Sequence, residues 1–173
     1  MRVRSARPEE APVLSEMALA SKGVWGYDAA FLARVRGELS VTAADIASRA
    51  VKVADEGPGQ PALGFVGLDP RAPDARLDKP SVAPGHFRRG VGTRLRAAAL
   101  HHAAARGAQT PTWDAEPYAV PFYARMGAVI IGQAPSGSIP GRTLPMMRVP
   151  VPGPQAGNSS ALGKEKGVAD GGH

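Results

Sequence analysis

Residues 82–93 read Val-Ala-Pro-Gly-His-Phe-Arg-Arg-Gly-Val-Gly-Thr and connect a predicted strand to a long predicted helix. Glycines in such a turn let backbone N–H groups face a ligand at the start of the helix, where free donors and the helix dipole favour an anion. Arg88 and Arg89 add positive charge at the same place. The turn therefore predicts a site for a phosphorylated cofactor. A glycine N-cap beside two solvated arginines is the alternative interpretation of the same residues.

Several other motifs are absent from the sequence. Leu95 stands where the dinucleotide fingerprint needs its third glycine, and no Gly-Lys-Ser or Gly-Lys-Thr follows the turn as a P-loop requires. The chain has no cysteine and no Gly-x-Ser-x-Gly, and no group of His, Asp and Glu has the spacing of metal ligands. These absences argue against both nucleotide folds, thiolate or serine catalysis, and a metal site.

Hydrophobic patterns on both sides of the turn predict a mixed α/β domain. The predicted strands are 2–7, 49–55, 62–68, 75–83, 109–115, 128–131 and 143–149, and the predicted helices are 8–23, 27–39, 90–106 and 117–126. The strand, helix and strand of 75–115 predict a parallel crossover, and the other strands are expected to be antiparallel. Pro80 argues against a regular strand at 75–83, because proline has no N–H to donate.

Length and charge bound the organisation and the partners. The chain has 173 residues, and 21 Lys and Arg against 15 Asp and Glu give a net charge of +6. Residues 1–150 are predicted to form one domain, and the glycine-rich segment 151–173, which has no aromatic residue, is predicted to be a disordered tail. Dispersed positive charge argues against a nucleic-acid partner. Without an apolar leader or a long apolar run, a cytoplasmic protein with no membrane partner is expected.

Three parts of the sequence resemble the GNAT superfamily of N-acetyltransferases. Val82-Ala-Pro with Gly90-x-Gly92 at a helix start resembles its acyl-CoA motif, and Phe122-Tyr-Ala-Arg-Met-Gly-Ala-Val129 resembles its later helix-to-strand segment. Trp25-Gly-Tyr-Asp28, the segment from Val41 to Asp45, and Ser-Gly-Ser-Ile-Pro-Gly-Arg at 136–142 resemble one bacterial subgroup. Together the resemblance covers residues 2–150.

The resemblance implies the GNAT acyl-CoA N-acyltransferase fold, an α/β fold whose mostly antiparallel sheet has two splayed parallel strands, 75–83 and 109–116. Acetyl-CoA would lie between these strands as the co-substrate. The residues implied to bind it are Val82, Ala83, Phe87, Arg88, Arg89, Gly90, Val91, Gly92, Thr93 and Phe122. The implied reaction is direct acetyl transfer to the primary amine of a small molecule. Dimers are common among such proteins, so a homodimer is a further expectation.

Two side chains are candidates for proton transfer. The resemblance implies that Tyr123 is the general acid for the leaving thiolate, and a core tyrosine with its hydroxyl at the surface is the alternative. Asp114 and Glu116 fall on one face of a strand if the alternation holds, so that one of them would deprotonate the acceptor. Asp114 is the catalytic candidate. Glu116 precedes Pro117, and the simpler interpretation is that it places charge at a helix N-terminus.

Three further residues are candidates for acceptor binding. Trp25 and Tyr27 either form walls of the acceptor pocket or anchor a helical hairpin. Arg142 either binds an acceptor carboxylate or is a solvated loop residue.

The sequence also departs from the family pattern. Phe87 stands where relatives often have Gln or Arg, and Arg88 stands where Gly is common. Pro80 and Ser81 replace apolar strand residues, which would weaken the strand that positions the acetyl group. A catalytically degenerate protein that binds acyl-CoA is therefore the alternative to an enzyme.

Overall fold

The computed structural model describes residues 1–69, 75–108 and 110–149. The predicted tail, 151–173, and the first residue of the predicted strand 109–115 lie outside the described residues. The strands are β1 (Arg2–Ser5), β2 (Lys52–Asp55), β3 (Ala62–Asp69), β4 (Arg76–Val82), β5 (Thr112–Asp114), β6 (Val129–Pro135) and β7 (Thr143–Arg148). The helices are α1 (Ala11–Gly23), α2 (Ala29–Leu39), α3 (Ala43–Ser48), α4 (Val91–Ala104) and α5 (Val120–Arg125).

The strands form one mixed sheet in the order β1-β2-β3-β4-β5-β7-β6. Its neighbouring strands are antiparallel except β4 and β5, which are parallel and joined by the crossover helix α4. The predicted fold class is confirmed. The strands follow the predicted order, and so do α1, α2, α4 and α5, whereas α3 was not among the predicted helices. Capping residues fix the helix starts, since Asp28 accepts from the N–H of Phe31 at 2.7 Å before α2, and Thr42 caps α3 with Asp45.

The parallel strands β4 and β5 separate soon after they meet. Arg76 is paired with Thr112, and this is the single β4–β5 register pair in the described part of the chain. β5 then pairs with β7 instead, from Thr112 opposite Arg148 to Asp114 opposite Met146. The predicted splay is therefore present, and the space between the diverging strands opens next to the start of α4.

A β-bulge explains how Pro80 is accommodated in β4. Phe65 of β3 lies opposite Ser81 and Gly67 lies opposite Asp78, so Lys79 and Pro80 together face one residue of β3. Lys79 has a φ of 49° at this point. Because a bulged residue is outside the regular ladder, the missing N–H of Pro80 does not interrupt the strand. As expected from Pro80, β4 is not a regular strand, but it continues through the bulge to Val82.

The sheet has a hydrophobic cluster on each face. One contains Trp113, Leu95 and Met147 and packs α4 and α5 against the sheet. The other contains Leu14, Val53 and Phe65 and packs α1 on the opposite face. Fully buried Trp113 and Phe65 are among the largest core side chains, so their removal from water contributes strongly to stability.

A buried carboxylate fastens β1 to β2. Asp55 is 1% exposed and accepts from Arg2 Nε at 2.6 Å and Arg4 Nε at 2.7 Å. Arg4 also bonds Glu10, which precedes α1. The bonds from Arg2 outweigh the effect of burial and, with those from Arg4, lower the pKa of Asp55 to about 2.

Candidate active site

A cleft of about 1130 Å³ lies between the splayed strands. It is bounded by the end of α1, by β4, by the turn before α4, by the segment after β5 and by α5. Its lining includes Ser21, Lys22, Trp25, Arg76–Val82, Phe87, Arg88, Gly90–Thr93, Asp114, Glu116, Tyr118, Phe122, Tyr123 and Arg125. Cofactor-sized space and convergent polar groups are typical of a ligand-binding site.

The turn before α4 presents unused backbone donors to the cleft. Gly90 is the N-cap of α4 with a φ of 78°, and the first helical hydrogen bond runs from Arg94 N to the Gly90 carbonyl at 3.1 Å. The N–H groups of Val91, Gly92 and Thr93 therefore have no acceptor within the helix. Arg88 takes up a φ of 62°, so a residue with a Cβ occupies a backbone region where glycine is usual. Together with the cleft-lining arginines, these donors suit a phosphate.

The predicted cofactor residues do not all reach the cleft. Val82, Phe87, Arg88, Gly90–Thr93 and Phe122 line it. Ala83 instead bonds β3, through its N–H to the Leu63 carbonyl at 2.9 Å, and Arg89 contacts His86 at 3.1 Å; neither is among the lining residues.

Close packing surrounds Gly92 and Val82. A Cβ on Gly92 would lie 3.3 Å from Cζ of Phe122 and 3.7 Å from Val82. The glycine therefore lets α4, β4 and α5 approach one another at the cleft. Ser21 Oγ on α1 accepts from the N–H of Val82 at 3.4 Å, so α1 contacts the end of β4 as well.

Tyr123 is a buried tyrosine on the wall of the cleft. Its ring packs against Trp113 and Phe122 with centroids 5.0 Å and 5.1 Å away, and the residue is 8% exposed. Burial raises the pKa of Tyr123 above its usual range, and the charge of Arg96 opposes this only in part. The phenol is therefore neutral and can donate a proton at physiological pH.

Asp114 lines the cleft and pairs with Arg76 through Oδ2. Its Oδ1 is buried and has no hydrogen-bond partner among the residues that the structure describes. A carboxylate oxygen without a donor has unused acceptor capacity, which a base or an ammonium-binding group requires.

Glu116 lies at the centre of a charged cluster that the sequence did not reveal. We call Lys22, Tyr27, Glu116 and Arg142 the Glu116 cluster. Glu116 accepts from Lys22 through Oε2 and from the Tyr27 hydroxyl through Oε1, and Arg142 Nη2 lies 3.4 Å from Oε1. Glu116 is the N-cap residue of the 3₁₀ turn that follows, but its side chain makes no cap bond to that turn. Burial would raise the pKa of Glu116, but the bonds from Lys22 and Tyr27 keep it below its usual range.

Tyr27 and Arg142 lie behind Glu116 rather than on the cleft wall. Neither lines the cleft, whereas Lys22 and Glu116 do. Arg142 donates to the Tyr27 hydroxyl at 2.8 Å, and its guanidinium carbon lies 5.5 Å from the Tyr27 ring centroid and 5.1 Å from that of Phe31. Burial, followed by the bond to Glu116, raises the pKa of Tyr27 to about 12. These contacts hold Glu116 in place.

Three aromatic residues form a wall at the mouth of the cleft. Trp25 stacks on Tyr118 with centroids 5.7 Å apart, and its ring meets Phe87 edge-on at 6.3 Å. Tyr118 is 60% exposed. Trp25 therefore lines the cleft, and it also contacts the turn that precedes α4.

The described residues show neither a metal-binding cluster nor a helix that could cross a membrane. Within residues 1–69, 75–108 and 110–149, no group of His, Asp and Glu is arranged to hold a metal ion. None of the helices in these residues is long and apolar enough to span a bilayer.

Comparison with known proteins agrees with the fold. The sequence profile of the acetyltransferase (GNAT) family matches residues 31–128. A GCN5-related N-acetyltransferase from Rhodopseudomonas palustris is 28% identical, covers 85% of this chain and 93% of its own, and has a TM-score of 0.68. PaiA N-acetyltransferase from Thermoplasma acidophilum, solved with coenzyme A, is 16% identical, covers 85% and 96%, and has a TM-score of 0.67. An aminoglycoside 6'-N-acetyltransferase solved with coenzyme A is 16% identical, covers 87% and 97%, and has a TM-score of 0.58. No curated protein matches the sequence significantly.

Proposed function

The chain belongs to the GNAT acetyltransferase family, and on that premise we propose that it is an N-acetyltransferase that transfers the acetyl group of acetyl-CoA to the primary amine of a small molecule. The observation that carries the proposal is the open N-terminus of α4. Three unused N–H groups and two nearby arginines, Arg88 and Arg125, face a cleft that also contains a buried, neutral Tyr123. Two of the solved structures that resemble this chain contain coenzyme A, which supports the choice of co-substrate.

The cleft residues fit the parts of acetyl-CoA. Val91, Gly92 and Thr93 would donate to the pyrophosphate, with Arg88 and Arg125 supplying charge. Val82, which lines the cleft at the end of β4, would pair with the pantetheine arm through its backbone, whose N–H lies 3.4 Å from Ser21 Oγ. Gly92 and Phe122 pack closely enough to shape the wall beside it.

The reaction needs one base and one acid. The acceptor ammonium loses one proton before the amine nitrogen attacks the thioester carbonyl carbon. The nitrogen loses a second proton as the carbon–sulfur bond breaks and the amide forms, so one proton is released overall once the thiolate is protonated. The thiolate that leaves takes a proton, so the products are the acetylated amine and the coenzyme A thiol. Because the protein binds both reactants in one cleft, positioning supplies much of the acceleration.

Tyr123 is the proposed acid and Asp114 the proposed base. The raised pKa of Tyr123 keeps its proton available for the thiolate. Asp114 has a carboxylate oxygen without a partner, whereas both oxygens of Glu116 accept from Lys22, Tyr27 or Arg142. The proton of the ammonium therefore passes to Asp114, directly or through water.

Binding without catalysis is the weaker candidate. It was suggested by Pro80 and Ser81, which replace apolar strand residues. The bulge accommodates Pro80, and Ser81 is buried with its hydroxyl bonded to the Lys79 carbonyl at 3.0 Å. The structure thus gives no sign that β4 is interrupted next to the cleft.

Calorimetric titration of the full chain with acetyl-CoA tests the cofactor site. We expect saturable binding that ATP does not reproduce. Gly92→Ala should weaken it about tenfold or more, because the new Cβ presses on Phe122 at the cleft. Gly37→Ala is the matched control, since a Cβ on this helical glycine meets nothing within 4 Å. If the folded wild-type protein does not bind acetyl-CoA, or if Gly92→Ala and Gly37→Ala bind it with equal affinity, the assignment of the acetyl-CoA site is contradicted.

A further inference from the structure

We propose that the amine acceptor also carries a carboxylate, and that this carboxylate binds Lys22 at the Glu116 cluster, with Arg142 as the second cation. The inference rests on the proposed N-acetyltransferase function and specifies its substrate class.

The Glu116 cluster has a surplus positive charge. It contains two cations, Lys22 and Arg142, and one carboxylate, and Tyr27 is a neutral phenol. The three charged side chains are only 15%, 19% and 11% exposed for Lys22, Arg142 and Glu116. Across the described residues no second carboxylate pairs with either cation. A partly desolvated surplus charge is unfavourable by itself, and a bound anion would compensate it.

A neighbouring carboxylate does not supply that compensation. The loop that carries Arg142 contacts Glu38 of α2, but Glu38 accepts there from Ser138. Because Glu38 is exposed, its interaction with a cation outside contact distance is screened by solvent.

Both cations retain donors for a ligand. The described contacts of Lys22 use one of its three N–H groups. Those of Arg142 use Nη2 alone, which leaves Nε and Nη1 without a partner in the part of the chain that the structure describes. A carboxylate accepts several such bonds and matches the planar fork of a guanidinium. Lys22 makes the first contact because it lines the cleft, and Arg142 adds charge from behind Glu116.

The rest of the acceptor side favours one class of amine. Of the other cleft carboxylates, Asp78 pairs with Lys79 at 2.8 Å and Asp114 pairs with Arg76. Exposed Glu38 also lines the cleft and accepts from Ser138, so among the described residues a polycation would find one cleft carboxylate outside an ion pair. The aromatic wall of Trp25 and Tyr118 suits an apolar or aromatic side chain. The structure therefore points to an amino carboxylate with an apolar side chain.

A matched acceptor panel tests the inference. L-phenylalanine, L-leucine and L-methionine are compared with their carboxamides, and phenethylamine and spermidine serve as amines without a carboxylate. Thiol release is measured for each with acetyl-CoA. We expect kcat/KM to be at least about tenfold higher for the carboxylates than for the amides, since only they bond the cluster.

Variants identify the residues responsible. Lys22→Gln and Arg142→Gln should bring the carboxylate-to-amide ratio of kcat/KM to about one, and Arg142→Lys should retain most of the preference because it keeps the charge. Lys52→Gln is the control, since within the described part of the chain Lys52 Nζ bonds Ser5 Oγ alone, at 3.2 Å on the protein surface. Thermal midpoints show whether each variant is folded.

Binding without turnover gives a second readout. We expect 3-phenylpropionate to change the fluorescence of Trp25 in the aromatic wall and 3-phenylpropanamide to do so only at much higher concentration. Trp25→Phe identifies the source of the signal, because Trp113, the other tryptophan, is fully buried. Lys22→Gln should remove the difference between the two compounds.

The outcomes separate the inference from the proposed function. Acetylation of phenethylamine, spermidine or the amides with no preference for carboxylates overturns the inference and leaves the function standing. Equal binding of the acid and the amide to wild-type protein also overturns it. Absence of an acetylated product from every amine overturns the proposed function, and the inference with it.

Discussion

Replacing Tyr123 with phenylalanine separates the acid role of this residue from its packing role. The phenyl ring keeps the contacts to Trp113 and Phe122 at 5.0 Å and 5.1 Å. Among the described residues the Tyr123 hydroxyl makes no hydrogen bond, so its removal should change the free energy of unfolding by less than about 1 kcal/mol. The loss of a general acid should nevertheless lower kcat about 100-fold, or about 2.7 kcal/mol in activation free energy.

The assay follows release of the coenzyme A thiol at saturating acetyl-CoA. KM for acetyl-CoA should change little, because Tyr123 is assigned to the leaving group and not to the pyrophosphate. Tyr118→Phe is the matched control, since Tyr118 also lines the cleft but is 60% exposed. We expect Tyr118→Phe to keep its kcat. An unchanged kcat in Tyr123→Phe, or the same decrease of kcat in both variants, would refute the acid role.

Three further predictions concern the base and the fold. Asp114→Asn should lower kcat/KM by about 100-fold at neutral pH, measured by thiol release; recovery of the rate at higher pH, where the amine is already neutral, supports the base role, and full activity at neutral pH excludes it. Asp55→Asn should destabilise the fold by about 3 kcal/mol. Because the folded pKa of Asp55 is lowered to about 2, its contribution to the free energy of unfolding is present above about pH 4 and lost as the pH falls toward 2. Urea unfolding at pH 7 and pH 3 checks this, and a difference in the free energy of unfolding between variant and wild type that is the same at both pH values contradicts it. Gly64→Ala should cost about 1–3 kcal/mol, because a Cβ would lie 2.7 Å from the Ser81 carbonyl oxygen; thermal unfolding beside Gly37→Ala measures it, and equal midpoints would show that the site relaxes.

Local patterns were sufficient to predict the strands of this fold and every helix in its described part except α3. Asp28 and Thr42 are polar residues placed directly before apolar helical runs, and both cap the helices that follow. The splay of β4 and β5 followed from the family resemblance and is present in the sheet. These features depend on short-range chemistry or on motifs that the sequence contains in full.

The bulge at Pro80 depended on the neighbouring strand. Proline within a strand predicts either an edge or a bulge, and the sequence alone does not say which. The register between β3 and β4 decides it, because Phe65 and Gly67 are two residues apart while Ser81 and Asp78 are three apart. Such a mismatch is invisible until the two strands are paired.

The Glu116 cluster could not be predicted for a similar reason. Lys22, Glu116 and Arg142 come from three distant parts of the chain, so no local spacing relates them. The sequence does carry one signal, because Arg142, Glu116 and Tyr27 are each candidate site residues on residue type and position. What the sequence could not supply was that Tyr27 and Arg142 contact Glu116 rather than the cleft.

Acetyl transfer itself is measured most directly with labelled acetyl-CoA and the acceptor panel, counting the released thiol and the acetylated amine in the same reaction. The account predicts equal amounts of both products, and loss of both in Tyr123→Phe and Asp114→Asn. Saturable binding of acetyl-CoA by the wild-type protein with no acetylated amine from any acceptor would contradict it.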